Sequence, residues 1–410
     1  MTSLLLDHRA FRRFALAFLI SRAGDFMLSV GMVVFIYSRT GSAGWVAVAA
    51  TLRLVPHILL SSAGGALGDR YGKGFLVASD SVRAGLNVAL TVAALAGSLP
   101  AVVALSVVTQ VAGAGYGATS VSLVPRLVDD DETAVANSTL GAIESLSLLA
   151  GPCLAGVLMA VASPALAFGL NAVSFVLSAC VVASLRLRAA GASGRRDQVE
   201  GLGVQPDRRR GWAYRELFAQ PSLRSATVCV VGANVLVGAV SVLLVVVSVD
   251  RLALGAAGTG YLLGAFGAGG VAGAVAAGRW MGKGSTQHWG PVMLVATGLS
   301  TVGLSQARLL PLALLLTAAM GAATSVVEIQ SVTQVQIDAA GNAAAVCGAM
   351  DSLCYAAVLA GLVVSPLLVE AVGGAGCLVA LGAGLIALAG LALRAPQPTR
   401  TNARAQLSLL

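Results

Sequence analysis

The sequence predicts an all-α membrane protein, with twelve transmembrane helices arranged as two pseudo-symmetric six-helix halves. Three observations predict it. Of 410 residues, 57% are hydrophobic and only 11% are charged, with mean hydropathy +0.87. A soluble domain carries about a quarter charged residues because its surface must be solvated, so most of this surface is expected to face lipid. The apolar runs are also long enough to span, since a bilayer is crossed by about 20 mostly apolar residues. Finally, the basic residues cluster in alternate connections between those runs.

Punctuation by Gly, Pro and charge gives six candidate spans, near 13–38, 44–68, 75–97, 100–124, 137–162 and 164–186. A polar linker follows over 187–222. Six more spans lie near 223–249, 255–278, 288–306, 309–334, 343–370 and 373–394, ahead of a polar tail at 395–410. The chain therefore divides into an N-terminal half (1–186), a linker, a C-terminal half (223–394) and the tail. The 49 glycines suit close helix contacts, which small residues permit in lipid. The first two-thirds of the linker is too polar to pack. Its end, WAYRELF, sets Trp212, Leu217 and Phe218 beside charges and predicts a short helix on the membrane surface.

Cytoplasmic connections retain Arg and Lys. With the N-terminus inside, the inner segments carry Arg9, Arg12, Arg13, Arg70, Lys73, Arg126, the linker arginines, Arg279, Lys283, Arg394, Arg400 and Arg404; the outer connections carry only Arg39, Arg251 and Arg308. Both termini and the linker are thus placed in the cytoplasm, with the chain in the cell (inner) membrane. This topology accounts for the net charge of +8. Nucleic-acid binding would need a basic face on a soluble domain, and no soluble stretch is long enough. Cys153, Cys180, Cys229, Cys347, Cys354 and Cys377 all lie in apolar runs without metal-ligand spacing, so neither a metal nor a cofactor is expected. The first apolar run leads into a long helix without a small-residue cleavage site.

One stretch stands out: GGALGDRYGKG at 64–74. It is no nucleotide loop, because such a loop follows a strand and opens a helix. These glycines end one span and begin another. There is also no G-x-x-x-x-G-K-[ST], so ATP hydrolysis is not expected and an ion gradient is the simplest energy source. The stretch has an echo: Gly68, Gly72, Lys73 and Gly74 match Gly278, Gly282, Lys283 and Gly284 at a constant offset of 210 residues. The same offset carries 39–43 onto 249–253 and Ser163 onto Gly373. Three connections in register indicate a duplication of six spans, as in transporters built from parallel repeats.

The residues of this turn resemble the loop between helices two and three of the major facilitator superfamily, G-x-L-x-D-R-x-G-R/K-R/K. Gly65, Leu67, Asp69, Arg70, Gly72 and Lys73 match, while Gly74 replaces the last basic residue. FRRF…AGDF (11–26), TGSA (40–43), LRLVP (52–56), SDSVRAG (79–85), LVPRLV (123–128) and WAYRELFAQPSLRS (212–225) resemble one branch, that of the enterobactin exporter and macrolide-efflux-like secretion effectors. The branch commonly opens helix eleven with Gly-Arg; AGNAAAVCG (340–348) has no Arg.

The resemblance implies that Asp69 is an inner gate facing the N-terminus of helix eleven near Gly341 and Asn342. An anion there is stabilised by roughly 0.3–2 kcal/mol, little enough to be made and broken in each cycle. Lys73 is expected to reach Asp129, Asp130 or Asp131. Asp80 and Arg83 stand three apart on one helical face, able to pair, and are counted with the gate; the alternative is a solvated, topology-setting loop.

Charges inside spans are costly and default to function. They are Arg22 and Asp25 in span one, Arg53 in span two, Glu144 in span five, Glu328 in span ten and Asp351 in span eleven. By depth, Asp25 and Arg53 can meet, as can Arg22 and Glu144, and such pairs can simply lock helices together. Asp25 and Glu144 are candidate proton carriers, since burial favours the protonated form of a carboxyl. Glu328 and Asp351 have no basic residue in their own spans, which suits a proton carrier or an acceptor for a cationic substrate. Gln330 and Gln334 are expected to line a cavity. In span five, Gly151, Pro152 and Gly156 resemble the superfamily's exporter motif; Gly-Pro permits a bend, as a packing kink also would. The Arg that drug/proton antiporters often carry in helix four is replaced by Thr109. His57 either relays protons or packs beside Pro56.

The reading is a secondary active exporter, not an enzyme. It works as a monomer by alternating access, exchanging protons for a small hydrophobic or amphipathic molecule such as a drug, siderophore or secondary metabolite. An importer or uniporter on the same fold, and a non-transporting scaffold, are the alternatives.

Overall fold

The computed structural model describes residues 2–161, 164–186, 211–280, 289–339 and 342–394, and no strand occurs among them. A short α1 (Thr2–Asp7) leads into α2 (Arg9–Thr40), α3 (Ala43–Tyr71), α4 (Lys73–Leu95), α5 (Leu99–Gly113), α6 (Tyr116–Ser122), α7 (Thr133–Val161) and α8 (Pro164–Ser184). The second half comprises α9 (Trp212–Ala219), α10 (Pro221–Val246), α11 (Gly255–Trp280), α12 (Trp289–Leu304), α13 (Leu310–Asp338) and α14 (Ala343–Arg394).

Local chemistry sets the boundaries. The TGSA connection supplies both caps it needs: Gly41 ends α2 in the left-handed conformation, and the Ser42 hydroxyl accepts the Trp45 amide at the start of α3. Proline opens α5, α10 and α13, where its missing N–H has no helical partner to lose. Helix α14 has 52 residues, more than twice what a hydrocarbon core of ~30 Å accommodates at ~1.5 Å per residue. Gly373, at φ 75° and ψ 167°, interrupts it, so α14 supplies spans eleven and twelve. Span four is likewise built from α5 and α6, separated at Gly115 (φ 83°). Seven of the described helices, and α5 with α6 as an eighth unit, are long and apolar enough to cross a membrane, and α12 is a shorter apolar helix.

Within the N-terminal half, α2 and α4 pack on α8, and α2 on α7; within the C-terminal half, α10 packs on α14 and α13 on α11 and α12. Two seams join the halves, α3 along α14 and α7 along α11. Core side chains such as Phe11, Phe14, Leu76, Leu90, Phe168, Leu236, Leu243 and Val327 are buried. Leu59, Leu95, Val92, Leu299, Leu315 and Leu391 are exposed on the outer faces, which is where a bilayer needs apolar surface.

The WAYRELF tail is helical, as α9. Its Leu217 is fully buried and Ala213 nearly so, against α10 and α14, while Phe218 remains exposed. The linker over 187–210, the tail from 395 and most of the second loop copy (281–288) lie outside the described residues.

Candidate functional site

The α3–α4 turn is pressed against the start of α14. A Cβ on Gly65 would run into the Ala344 carbonyl, and one on Gly348 into that of Ser61, so only hydrogen at these positions lets the two backbones meet. That approach carries Asp69 to the helix N-terminus. Its carboxylate oxygens accept the backbone amides of Ala344 (3.0 Å) and Ala345 (2.8 Å). These are two of the donors that the first turn of a helix cannot satisfy internally. Leu67 is exposed, and Arg70 lies over the Tyr71 ring at 5.3 Å.

Lys73 is placed otherwise than expected. Its ammonium donates to the carbonyls of Ala183 (3.2 Å) and Leu185 (2.8 Å) at the end of α8, and not to Asp129 or Asp131; the Asp130 side chain lies outside the described residues. The carbonyl end of a helix attracts a cation, and α8 ends beside the turn. Asp80 and Arg83 do pair, at 3.6 Å, but not at the turn. Asp80 is fully buried within α4 and accepts the Tyr116 hydroxyl at 2.9 Å, which also stands 3.3 Å from Ser178 Oγ. Arg83 lies over Phe175 at 3.9 Å and Tyr116 at 5.4 Å. Both residues belong to the interior of the N-terminal half.

That interior corrects a second expectation. Asp25 is met by Arg83, whose Nη2 donates to both carboxylate oxygens at 2.9 Å, and not by Arg53. The Arg53 guanidinium donates instead to Ser29 Oγ at 3.4 Å, one turn further along α2. Arg22 and Glu144 meet as depth predicts, at 3.0 Å.

From the C-terminal half, Asp351 approaches the same region. A Cβ on Gly117 of α6 would stand 3.4 Å from Arg22 Nη2 and 3.8 Å from Asp351 Oδ2, so guanidinium and carboxylate face one gap from opposite halves. Glu328, in α13, feels the charges of Glu144 and Asp351. The expected glutamine lining does not form. Gln330 is buried with its Oε1 directed at Gly290 of α12, and Gln334 donates to Asp338 at 2.7 Å within α13.

Another glutamine bridges the halves instead. Gln336 donates to the Val121 carbonyl (2.6 Å) and exchanges hydrogen bonds with Asn137 of α7, which also donates to Thr333 Oγ1 at 2.9 Å. Sequence reasoning missed this clamp; its signal is the density of Gln and Thr near the end of an otherwise apolar span. His57 stacks on Tyr355 at 4.5 Å, and Ser352 donates to the His57 carbonyl at 3.3 Å. The cross-half contacts named here run from His57 to the α3–α4 turn and join α3, α6 and α7 to α13 and α14.

Helix α7 is continuous through Gly151, Pro152 and Gly156; side-chain detail at these three, and Gly341 altogether, lie outside the described residues. Away from the seams, His8, Asp129 and Glu132 each bring a ligand atom within 4.8 Å of the others, with His8 Nε2 2.6 Å from Glu132. Among the described residues this group has the spacing to hold a metal ion, and its visible effect is to tie the α1–α2 junction to the segment before α7.

The family model described as Major Facilitator Superfamily matches residues 14–362. No curated protein matches the chain. Among solved structures, a bacterial homologue of the iron transporter ferroportin, in an outward-facing state, aligns with TM-score 0.73 at 17% identity, covering 93% of this chain and 98% of that one. The human organic anion transporter MFSD10 (TETRAN) aligns with TM-score 0.69 at 17% identity, covering 94% and 99%. The E. coli fucose:proton symporter FucP (N162A) gives 0.66 at 12% identity, covering 93% and 98%. At these identities the likeness is one of fold.

Proposed function

Since this chain belongs to the major facilitator superfamily, and is therefore a multi-pass membrane transporter of small molecules and not an enzyme, we propose that it is an exporter. It exchanges protons for a small hydrophobic or amphipathic compound, of the drug, siderophore or secondary-metabolite kind. It acts as a monomer in the cell membrane with both termini cytoplasmic, in the branch typified by the enterobactin and macrolide exporters.

The observation that carries the reading is the pair of amide bonds from α14 to Asp69. A carboxylate fastened to the other half through two hydrogen bonds, with no basic side chain added by Ala344 or Ala345, is a contact of a few kcal/mol. It holds the cytoplasmic end shut and yields when the halves rock. On this reading, closure of the cytoplasmic end is the half of the cycle in which cargo leaves to the outside.

Proton coupling is assigned to the carboxyls at mid-depth. Glu144 and Asp351 lie beside Arg22, with Glu328 in the field of both acids, and a proton taken up by one of the pair frees Arg22 for the other. The Asp25–Arg83 pair holds the framework beside them. A mostly apolar wall with few charges suits a hydrophobic or amphipathic cargo.

The test is uptake into everted vesicles containing the purified chain, screened over drugs, siderophores and secondary metabolites. Accumulation that requires an inside-acid gradient and stops when a protonophore collapses it is the expected result. Accumulation unchanged without the gradient removes the antiport, and movement in the opposite sense makes the protein an importer. No flux for any compound leaves the scaffold reading in its place.

A further inference from the structure

Three metal-ligating side chains that transport does not use meet at the end of the bundle where α2 and α4 begin. They are His8, Asp129 and Glu132, with one ligand atom of each within 4.8 Å of the others. They come from segments far apart in the chain, so no motif announces them. His8 occupies the N-cap position of α2 but makes no side-chain cap. Ser, Thr, Asp or Asn is preferred there because its oxygen accepts a first-turn amide; the imidazole is turned to Glu132 instead. Asp129 and Glu132 bracket a turn of 3₁₀ helix (Asp130–Glu132), closed by the Glu132 amide on the Asp129 carbonyl at 3.0 Å. Residues three apart eclipse in that geometry, which sets both carboxylates on one side.

The contact between the two segments is not an ordinary ion pair. His8 Nε2 and Glu132 Oε2 stand 2.6 Å apart, yet Oε2, closed off from water, has no hydrogen-bond partner among the described residues. The atoms therefore approach side by side and not along an N–H bond, as two lone-pair donors do when both are aimed at one point. Around a divalent ion, bonds of about 2.0–2.2 Å to nitrogen and oxygen bring ligand atoms close in this way. The third ligand, on the exposed Asp129, completes the set by rotation of its side chain. Asp129 has a further contact of its own, and ligating carboxylates are ordinarily held so, one oxygen steadied while the other binds. The backbone is fixed on both sides: Leu4, ahead of His8, and Leu127 and Val128, ahead of Asp129, are buried in one hydrophobic cluster.

We propose that His8, Asp129 and Glu132 bind a divalent transition-metal ion, which fastens the amino-terminal segment to the connection between spans four and five. A neutral imidazole with two carboxylates carries the charge that such an ion cancels. The imidazole nitrogen favours zinc, copper, iron or nickel over magnesium and calcium, which take oxygen ligands. All three ligands belong to the N-terminal half, so the ion rides with that half through the cycle and is not the cargo. The proposal stands whatever compound the chain transports.

The experiment is calorimetric titration of the full-length chain, purified in detergent without a polyhistidine tag and stripped by chelator, with Zn²⁺ and separately with Mg²⁺. The expected result is one Zn²⁺ bound per chain and no comparable binding of Mg²⁺. His8→Gln and Glu132→Gln should each weaken Zn²⁺ binding at least about tenfold, which is what loss of a group merely hydrogen-bonded to a ligand costs. Asp131→Asn, beside the site but outside the trio, should leave it unchanged. Co²⁺ in place of Zn²⁺ should give visible absorption bands that are lost in His8→Gln. An unmodified chain that binds no Zn²⁺ overturns the proposal, as does binding that neither His8→Gln nor Glu132→Gln weakens. Equal affinity for Mg²⁺, or a loss in Asp131→Asn matching that in Glu132→Gln, assigns the ion to the acidic run 129–132 as a diffuse surface and overturns it too.

Discussion

The two halves share a plan but not an electrostatic design. Inside the spans of the N-terminal half, three arginines (Arg22, Arg53, Arg83) accompany three carboxylates (Asp25, Asp80, Glu144), and the pairs close at 2.9–3.6 Å. In the C-terminal half, Glu328 and Asp351 occupy span interiors, while the described arginines of that half's spans and loops, Arg224, Arg251, Arg279, Arg308 and Arg394, stand at or near helix ends. One half is therefore neutral within itself, while the other carries two acids with no arginine in their own spans. A neutral half is a rigid reference. A half with surplus carboxylate has to be answered from across the gap, by Arg22 in this state and, in the proposed cycle, by a proton or the cargo.

The contrast is broken most severely by Arg83→Met, which leaves Asp80 buried, and Asp25 half-buried, without their cation. The expected loss is about 3–5 kcal/mol, read as a large fall in melting temperature in detergent, and an unchanged melting temperature would show that the pairs are not structural. Asp69→Asn comes next. It keeps the shape but weakens charge-assisted bonds to α14, costing the sealed state about 1–2 kcal/mol. Labelling of a cysteine introduced near the turn should rise roughly 5–30-fold at equilibrium, and turnover should slow while binding persists. Asn137→Ala removes one side of the Gln336 clamp for about 1 kcal/mol, shifting the same labelling in the same direction by less. Glu328→Gln should barely change stability, because no arginine depends on it, yet should uncouple export from the proton gradient. A loss of stability comparable to Arg83→Met would place Glu328 in a structural network and erase the distinction between the halves.

Much of this was legible in the sequence, for reasons that differ by residue. Span order and the break near Gly373 follow from hydropathy and backbone preference, which are local. The Arg22–Glu144 pair was legible because counting residues from a helix end gives depth. Depth alone could not choose Arg83 over Arg53 as the partner of Asp25. That choice depends on the rotation of each helix about its axis, which a weakly amphipathic, lipid-facing helix hardly encodes. The same ambiguity misdirected Gln330 and Gln334 and hid Gln336. Lys73 went to carbonyls at the end of α8 because a helix terminus offers partial charge that no residue letter displays.

The acceptor in the Asp69 contact is specified by a side chain, but its donors are main-chain amides. Ala344 and Ala345 give the bond only their amides, and their burial asks of the side chain only that it be small. Selection on this chain can therefore exchange small residues at the buried opening of α14, including loss of the arginine common in the resembling branch, without unfastening the halves. The one coding change that would delete a donor outright is proline at 344 or 345. The lock is inherited through secondary structure while its key is inherited through sequence, so drift at the two ends of the contact should run at very different rates.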